Sequence, residues 1–158
     1  MSQFRVEKRR AEAELTLSTG ERLRGCFFLA GSSATHQGPE RVVDLLNAED
    51  GGFFPFQVDD PSDTVLVNRA QLVTARLVGT SAEVRLDAGY DVAKVRDVVM
   101  RFTNRCVLRG LVRVYRPQGR DRLSDYARSA ELFRYVENGD GTFIVNTSHI
   151  VQLSEITS

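Results

Sequence analysis

Several residue types that support particular functions are scarce in this chain. It has 158 residues, no tryptophan, two cysteines and two histidines, and Cys26, Cys106, His36 and His149 match no familiar spacing of a four-ligand zinc site. No apolar run approaches the roughly 20 residues of a membrane-spanning helix, and no apolar signal-peptide stretch follows the N-terminal charges. We expect a cytoplasmic protein with free thiols and no metal, cofactor or membrane contact; a Cys26–Cys106 bridge is the less favoured alternative.

Side-chain patterns typical of enzymes are also missing. A nucleophilic Cys106 would need a base nearby, and the sequence places none at a characteristic spacing. His36 stands in a loop-like stretch without a cysteine or carboxylate arranged around it. We therefore nominate no catalytic residue and expect that the protein is not an enzyme.

The formal net charge is zero, but the charges are unevenly distributed. Residues 92–128 contain ten lysines and arginines against three aspartates, whereas residues 40–63 contain seven acidic residues against Arg41 alone. Such a basic pole and acidic pole can attract a polyanion, or attract a further copy of the same protein head to tail.

The chain contains one short pattern twice, at 65–73 (VLVNRAQLV) and 143–151 (FIVNTSHIV). Each copy is an apolar run, one Asn, three mostly polar residues and a second apolar run, which is typical of two β-strands joined by a very tight turn. Upstream, Leu-Arg-Gly occurs at 23–25 and again at 108–110. The repeat favours two units of about 70 to 80 residues in close contact.

Alternating and helical patterns agree between the two halves. The first half is predicted to hold strands over 13–17, 22–29 and 53–58, then the repeated motif up to about 77, with an amphipathic helix over 39–47. The second half repeats strands near 98–102, 108–114 and 132–136, a helix near 123–130 and a hairpin turn at 138–141. Residues 1–12 fit either a short helix or an added strand, and 83–86 a short strand. Gly25 inside a strand predicts a sharp bend.

The residue pattern is similar to that of a known family. Leu15-x-Leu17-x-x-Gly20-x-x-Leu23-x-Gly25-x-Phe27 resembles the first signature of Sm and Sm-like proteins, and 65–73 resembles the second. The second half repeats the first signature with Met100, Phe102, Leu108, Gly110 and Val112, and the second with 143–151. The resemblance implies a mainly β fold of two Sm-like (SH3-like), five-stranded, strongly bent small barrels, each with a short helix inserted between strands 2 and 3. The predicted domains are 1–78 and 97–158, with a connection at 79–96.

The resemblance also carries functional expectations. It implies assembly through pairing of the fourth strand of one barrel with the fifth strand of the next, and RNA held near the loops. The loops depart from the family pattern, because Asn68-Arg69 and Asn146-Thr147 stand where Arg-Gly is typical. We therefore expect an interaction and assembly module, either a homo-oligomer formed by sheet-edge pairing or a binder of a protein partner. The alternative is a single-stranded RNA-binding protein.

Two groups of residues are candidate contact sites. Arg101, Arg109 and Arg113, with Tyr115, are predicted to form a basic, partly aromatic outer strand face suited to phosphates and stacked bases, or simply a solvated face. The second group comprises the turn residues Asn68, Arg69, Asn146 and His149. The simplest structural interpretation is that each Asn adopts a left-handed turn conformation and bonds to its own backbone. His149 would then be a polar turn residue.

Overall fold

The computed structural model describes residues 8–31, 38–48, 51–79, 83–87, 89–115, 123–127 and 131–157. The first half contains β1 (Lys8–Leu17), β2 (Arg22–Ala30), α1 (Val42–Asn47), β3 (Phe53–Val58), β4 (Asp63–Asn68) and β5 (Leu72–Leu77). The second contains β6 (Lys94–Phe102), β7 (Val107–Val114), α2 (Leu123–Ala127), β8 (Phe133–Asn138), β9 (Gly141–Asn146) and β10 (Ile150–Glu155). The predicted mainly β fold with a short helix after the second strand of each half is confirmed.

Two segments settle open points of the sequence analysis. Residues 8–12 belong to β1, so the strand alternative is confirmed there, while residues 1–7 lie outside the described part. The strand predicted at 83–86 is wrong, because Glu83–Leu86 forms a 3-10 turn. The backbone N–H of Asp87 donates to the Val84 carbonyl oxygen, and the Val84 side chain is buried, so one tight turn replaces the extended segment.

The ten strands form one antiparallel sheet rather than two sheets that pair separately. Their order is β10-β6-β7-β8-β9-β5-β1-β2-β3-β4. Within each half the order is therefore fifth, first, second, third, fourth strand. The halves join through β5 and β9, where Thr74, Ala75 and Arg76 lie opposite Val145, Ile144 and Phe143, respectively. We call this pairing the junction. Strands β4 and β10 form the two ends of the sheet.

Each copy of the repeated motif is confirmed as two strands with a very tight turn. The turns are the 3-10 segments Arg69–Gln71 and Thr147–His149. The two strands of a copy do not pair with each other, since β4 pairs with β3, whereas β5 pairs with β1 and β9. The turn thus carries the chain from one side of a half to its other side.

Glycine allows neighbouring strands to approach closely at equivalent places. A Cβ atom on Gly25 of β2 would lie 1.8 Å from the Gln57 carbonyl oxygen. On Gly110 of β7 it would lie 2.5 Å from Cγ1 of Val136 and 2.8 Å from the Glu137 carbonyl oxygen. Only a residue without a side chain fits these approaches, as expected where a strand bends sharply.

Buried apolar side chains form two clusters, and each takes side chains from both halves. The first core contains Ala13, Leu15, Phe27, Leu29, Val42, Val43, Leu46, Phe54, Phe56, Val67, Leu72, Ala75, Leu77, Phe133 and Ile144. The second core contains Val73, Val98, Met100, Phe102, Val112, Val114, Tyr126, Val136 and Val145. Phe133 and Ile144 of the second half thus complete the first core, and Val73 of the first half completes the second.

Candidate functional site

The junction shows how this chain buries a sheet edge. Ala75 and Ile144 face each other across it, and both are fully buried in the first core. Val73, also on β5, is fully buried among residues of the second core. Fully burying an aliphatic side chain contributes roughly 1.5–3 kcal/mol, so a few such residues hold the halves together.

Asn146 supplies the polar part of the junction and is fully buried. Its Nδ2 donates to the carbonyl oxygens of Leu72 at 2.9 Å and Arg69 at 3.4 Å, while its Oδ1 accepts from the Ser148 backbone N–H at 3.0 Å. In the first half, Asn68 Oδ1 accepts from the Ala70 backbone N–H at 2.9 Å.

The predicted bonding of each Asn to its own backbone is therefore confirmed, but the left-handed conformation is wrong. Asn68 has φ −73° and Asn146 φ −87°, with extended backbones. Each residue caps the 3-10 turn that follows it, and a capping side chain reaches the next N–H groups from an extended backbone.

His149 connects the turns of the two halves. Its Nδ1 lies 2.7 Å from Thr103 Oγ1, and its Nε2 lies 2.5 Å from the Ala70 carbonyl oxygen. Because a carbonyl oxygen only accepts, Nε2 carries a proton and donates to it. In the first half the Gln71 side chain accepts a hydrogen bond from Ser18, which corresponds to the His149–Thr103 contact.

Arg69 is nearly buried and holds the backbone of its own half. Its guanidinium donates to the carbonyl oxygens of Gly51 at 2.6 Å, Phe53 at 3.0 Å and Leu45 at 3.1 Å. It also lies over the Phe54 ring. These bonds join α1 to the start of β3. Arg69 therefore stabilises the backbone inside its own half, and its guanidinium does not face solvent.

A second set of contacts, which we call the clasp, ties α1 to β8 across the junction. Oxygens of the Glu83 carboxylate accept from the backbone N–H groups of Val42 at 3.0 Å and Val43 at 3.3 Å, and from the Tyr135 hydroxyl at 2.6 Å. The Asn47 side chain pairs with both backbone groups of Phe133, at 2.9 and 3.0 Å. Burial and the neighbouring Glu83 carboxylate raise the pKa of Tyr135 above its ordinary value.

Arg41 strengthens the same region. It donates to Asp44 at 3.1 Å and also to Asp87, which follows the Glu83 turn. Burial lowers the pKa of Arg41, but its hydrogen bonds to these two carboxylates outweigh that effect and raise the pKa above the ordinary value. The connection between the halves is therefore fastened to α1 by charge as well as by the clasp.

The free ends of the sheet expose apolar residues. Leu66 on β4 is 69% exposed, and its neighbour Phe53 on β3 is 55% exposed. At the other end, Val151 on β10 is 68% exposed. A row of unpaired backbone groups together with apolar side chains favours pairing with another strand.

The predicted basic face lies on the outer side of β6 and β7, but much of its charge is compensated. Arg109 pairs with Asp97 at 3.0 Å, and Arg113 pairs with Glu137 at 3.1 Å. Arg101 is exposed and has no ion pair with any residue that the structure describes.

Aromatic side chains border the same face. The Arg113 guanidinium stacks on the Tyr90 ring at 3.7 Å. Tyr115 is 42% exposed, and burial together with Asp87 raises its pKa above the ordinary value. The four predicted residues thus share one side of the sheet, where Arg101 is exposed and the Arg109 side chain is 65% exposed beside Asp97.

An open cleft of about 410 Å³ runs beside the junction. Arg22 and Arg76 lie on its walls with Glu14 and Asp140, so these charges balance.

The described ranges contain no cluster of His, Cys, Asp and Glu that could hold a metal ion. Nor do they contain a helix long and apolar enough to cross a membrane. Cys26 and Cys106 are free, and burial, aided by Asp59 and Glu12, raises the pKa of the Cys26 thiol.

Comparisons with protein-family models, curated proteins and solved structures find no match to this chain. Sequence reasoning missed Glu83, Tyr135 and Asn47, whose partners are distant in the chain. It also missed Leu66 and Val151, although the repeat already paired them with Ile144 and Val73.

Proposed function

We propose that the protein is a non-enzymatic interaction and assembly module built from two fused Sm-like units, which associate by sheet-edge pairing within the chain and between chains. One observation carries this proposal. Both halves have the same strand order and join through β5 and β9, while β4 and β10 at the ends of the sheet each have one edge that pairs with no strand of the described residues. Within the described residues, the two halves thus make one sheet-edge contact and leave two sheet edges without a partner strand.

The resemblance to Sm-like proteins supports the proposal. It implies pairing of a fourth strand with the fifth strand of a neighbour, and β9 and β5 are the fourth strand of the second half and the fifth strand of the first. An ancestral unit copied in tandem accounts for the matching glycines, Gly25 and Gly110, and for the matching turns. We propose that each half corresponds to one small barrel.

The RNA-binding alternative has less support. Two of the three arginines on the proposed basic face are ion-paired, and releasing counterions from a nucleic acid requires several free, convergent charges. Arg101 and Tyr115 are the residues through which such binding would act.

Light scattering over a concentration series tests the proposal. The chain mass is 17.7 kDa, and we expect a larger species, at a multiple of that mass, to form as the concentration rises. A constant 17.7 kDa together with no captured protein partner would contradict the proposal.

The same sample tests the RNA alternative. Because the protein has no tryptophan, copurified nucleic acid would be conspicuous in the ratio of absorbance at 260 and 280 nm. We expect a protein-like ratio and no binding of oligonucleotides at low salt. Tight, salt-dependent binding that is lost in Arg101→Ala would favour the alternative instead.

A further inference from the structure

We infer that β10 of one copy pairs with β4 of a second copy in the register of the internal junction, and that this contact is the weaker and reversible one because it lacks the Tyr135–Glu83 hydrogen bond of the clasp. The inference rests on the proposed assembly and specifies its partner, its register and its strength. The chain already makes one such contact with itself, between β5 and β9.

The register follows from the repeat. Asn68 and Asn146 are equivalent, so residues 65–78 correspond to residues numbered 78 higher. The internal junction places Ala75 opposite Ile144. Adding 78 to the first number and subtracting 78 from the second places Leu153 opposite Leu66. The flanking pairs become Gln152 with Val67 and Ser154 with Val65.

Burial at the internal junction agrees with exposure at the free edges. Ile144 is fully buried at the junction, whereas its equivalent Leu66 is 69% exposed. Val73 is fully buried, whereas its equivalent Val151 is 68% exposed. Thus Leu66 on β4 is the equivalent of Ile144 on β9, and Val151 on β10 is the equivalent of Val73 on β5. Joining the two ends would bury both side chains as their equivalents are buried.

The polar groups repeat in the same way. At the junction, Asn146 Nδ2 donates to the carbonyl oxygens of Leu72 and Arg69. The equivalent Asn68 uses only its Oδ1 among contacts within the described residues, which leaves its Nδ2 for a partner. The corresponding acceptors in a second copy are the carbonyl oxygens of Ile150 and Thr147.

Gln71 repeats the role of His149. His149 bonds Thr103 with one ring nitrogen and the Ala70 carbonyl oxygen with the other. Gln71 accepts from Ser18 with Oε1, so its Nε2 can donate to the carbonyl oxygen of Ser148 in a second copy. The edges thus carry the donors as well as the apolar residues of the junction.

These matches identify the occupant as a second copy. The two edges of a single chain complement each other and differ from each other, so the contact is head-to-tail. A strand of another protein could pair with one of the two edges. A second copy of this chain carries the apolar side chains and hydrogen-bonding groups that match both edges.

The copy-to-copy contact lacks one element of the internal junction. In the β8–β9 pairing Tyr135 lies opposite Ile144, and in the β3–β4 pairing Pro55 lies opposite Leu66. Pro55 therefore occupies the place of Tyr135 and has no hydroxyl to donate to a carboxylate. The internal junction also benefits from the high effective concentration of linked partners. Copies should therefore exchange as whole chains while each internal junction stays closed.

Cysteine crosslinking tests the register. In a background with Cys26→Ser and Cys106→Ser, the pair Leu66→Cys and Leu153→Cys should form intermolecular disulfides on mild oxidation. The control pair, Leu66→Cys with Ser154→Cys, is shifted by one residue and points to opposite faces of the sheet, so its yield should be about tenfold lower. An equal or higher yield from the shifted pair would overturn the register.

A charge placed at the edge tests the contact by another measurement. Val151→Asp should raise the concentration needed for self-association about 100-fold, because it would bury an unpaired carboxylate. Val92→Asp, at an 87% exposed site in the connection, should leave that concentration unchanged. An unchanged value for Val151→Asp would overturn the inference.

Subunit exchange tests reversibility. Two differently labelled preparations, once mixed, should form mixed assemblies, and dilution should return the 17.7 kDa chain. Assemblies that neither exchange nor dissociate would overturn the weaker-contact part. If larger species form without the 66–153 crosslink, the inference fails but the proposed assembly stands. A monomer at every concentration would contradict the proposed assembly itself.

Discussion

At the scale of single residues, Asn68 and Asn146 show how one sequence position serves two environments. Both cap a 3-10 turn with the same bond to the backbone. Only Asn146 is buried. It lies at the end of β9, which pairs with β5, whereas Asn68 lies at the end of β4, whose outer edge pairs with no described strand. The role of the residue in its own turn was visible in the sequence, but its burial depends on the pairing of β5 with β9.

We predict that Asn146→Ala lowers the free energy of unfolding by about 2–4 kcal/mol, because it leaves the buried Leu72 carbonyl oxygen without that donor and removes a cap. The matched variant Asn68→Ala loses only the cap and should cost about 1 kcal/mol. Urea unfolding followed by circular dichroism compares the two. Equal losses would contradict the assigned role of Asn146 at the junction.

Gly25 can be tested in the same way. Gly25→Ala should lower the free energy of unfolding by about 3 kcal/mol or more, because the new methyl group overlaps a backbone oxygen that cannot move freely. Gly52→Ala is the control, since a Cβ there meets nothing within 4 Å. Thermal unfolding should separate the two variants clearly, and a stable Gly25→Ala protein would show that β2 and β3 do not approach as described.

At the scale of elements, the strands were predictable and the clasp was not. Alternation of apolar residues identified β1, β2 and β3, because one face of each strand packs on a core. The segment Glu83–Leu86 has a similar pattern but forms a turn. Its conformation is set by partners on α1 and β8 that are distant in sequence, and local periodicity carries no information about them.

We predict that Glu83 and Tyr135 are energetically coupled across the halves. Tyr135→Phe alone should cost about 1 kcal/mol, the usual net value of one hydrogen bond, or somewhat more because the acceptor is charged. In a Glu83→Ala background the same change should cost almost nothing. A double-mutant cycle of unfolding free energies measures this coupling. Additive effects would show that the clasp does not form in solution.

At the scale of the whole molecule, the two halves stabilise each other. The predicted repeat correctly matched strands and turns, yet it could not show that Phe133, Ile144 and Val73 each complete the core of the other half. Hydrophobic pattern tells which side chains are buried, but not which surface buries them. That information depends on strand pairing over long distances in the chain.

Stability should fall steeply in alkali. Burial raises the pKa of Tyr126 to about 12, and the pKa of Tyr135 is also raised, whereas an unfolded tyrosine titrates near pH 10. The folded state therefore holds these protons more tightly, so stability is unaffected below about pH 10 and is lost as the pH rises above it. Each such tyrosine contributes a slope of about 1.4 kcal/mol per pH unit between its two pKa values.

Tyrosine absorbance at 295 nm and circular dichroism, recorded together from pH 8 to 13, measure this effect. We expect the ionisation of buried tyrosines to coincide with unfolding, and Tyr126→Phe to move the transition to higher pH. Normal titration near pH 10 without loss of structure would contradict the described burial of these side chains.

Hydrogen–deuterium exchange at low and high protein concentration tests most directly whether the open sheet edges are sites of assembly. We expect the amides of β4 and β10 to become protected together as the concentration rises, while β5 and β9 stay protected throughout. Exchange that is independent of concentration at both edges, or new protection confined to the outer face of β6 and β7, would contradict the account.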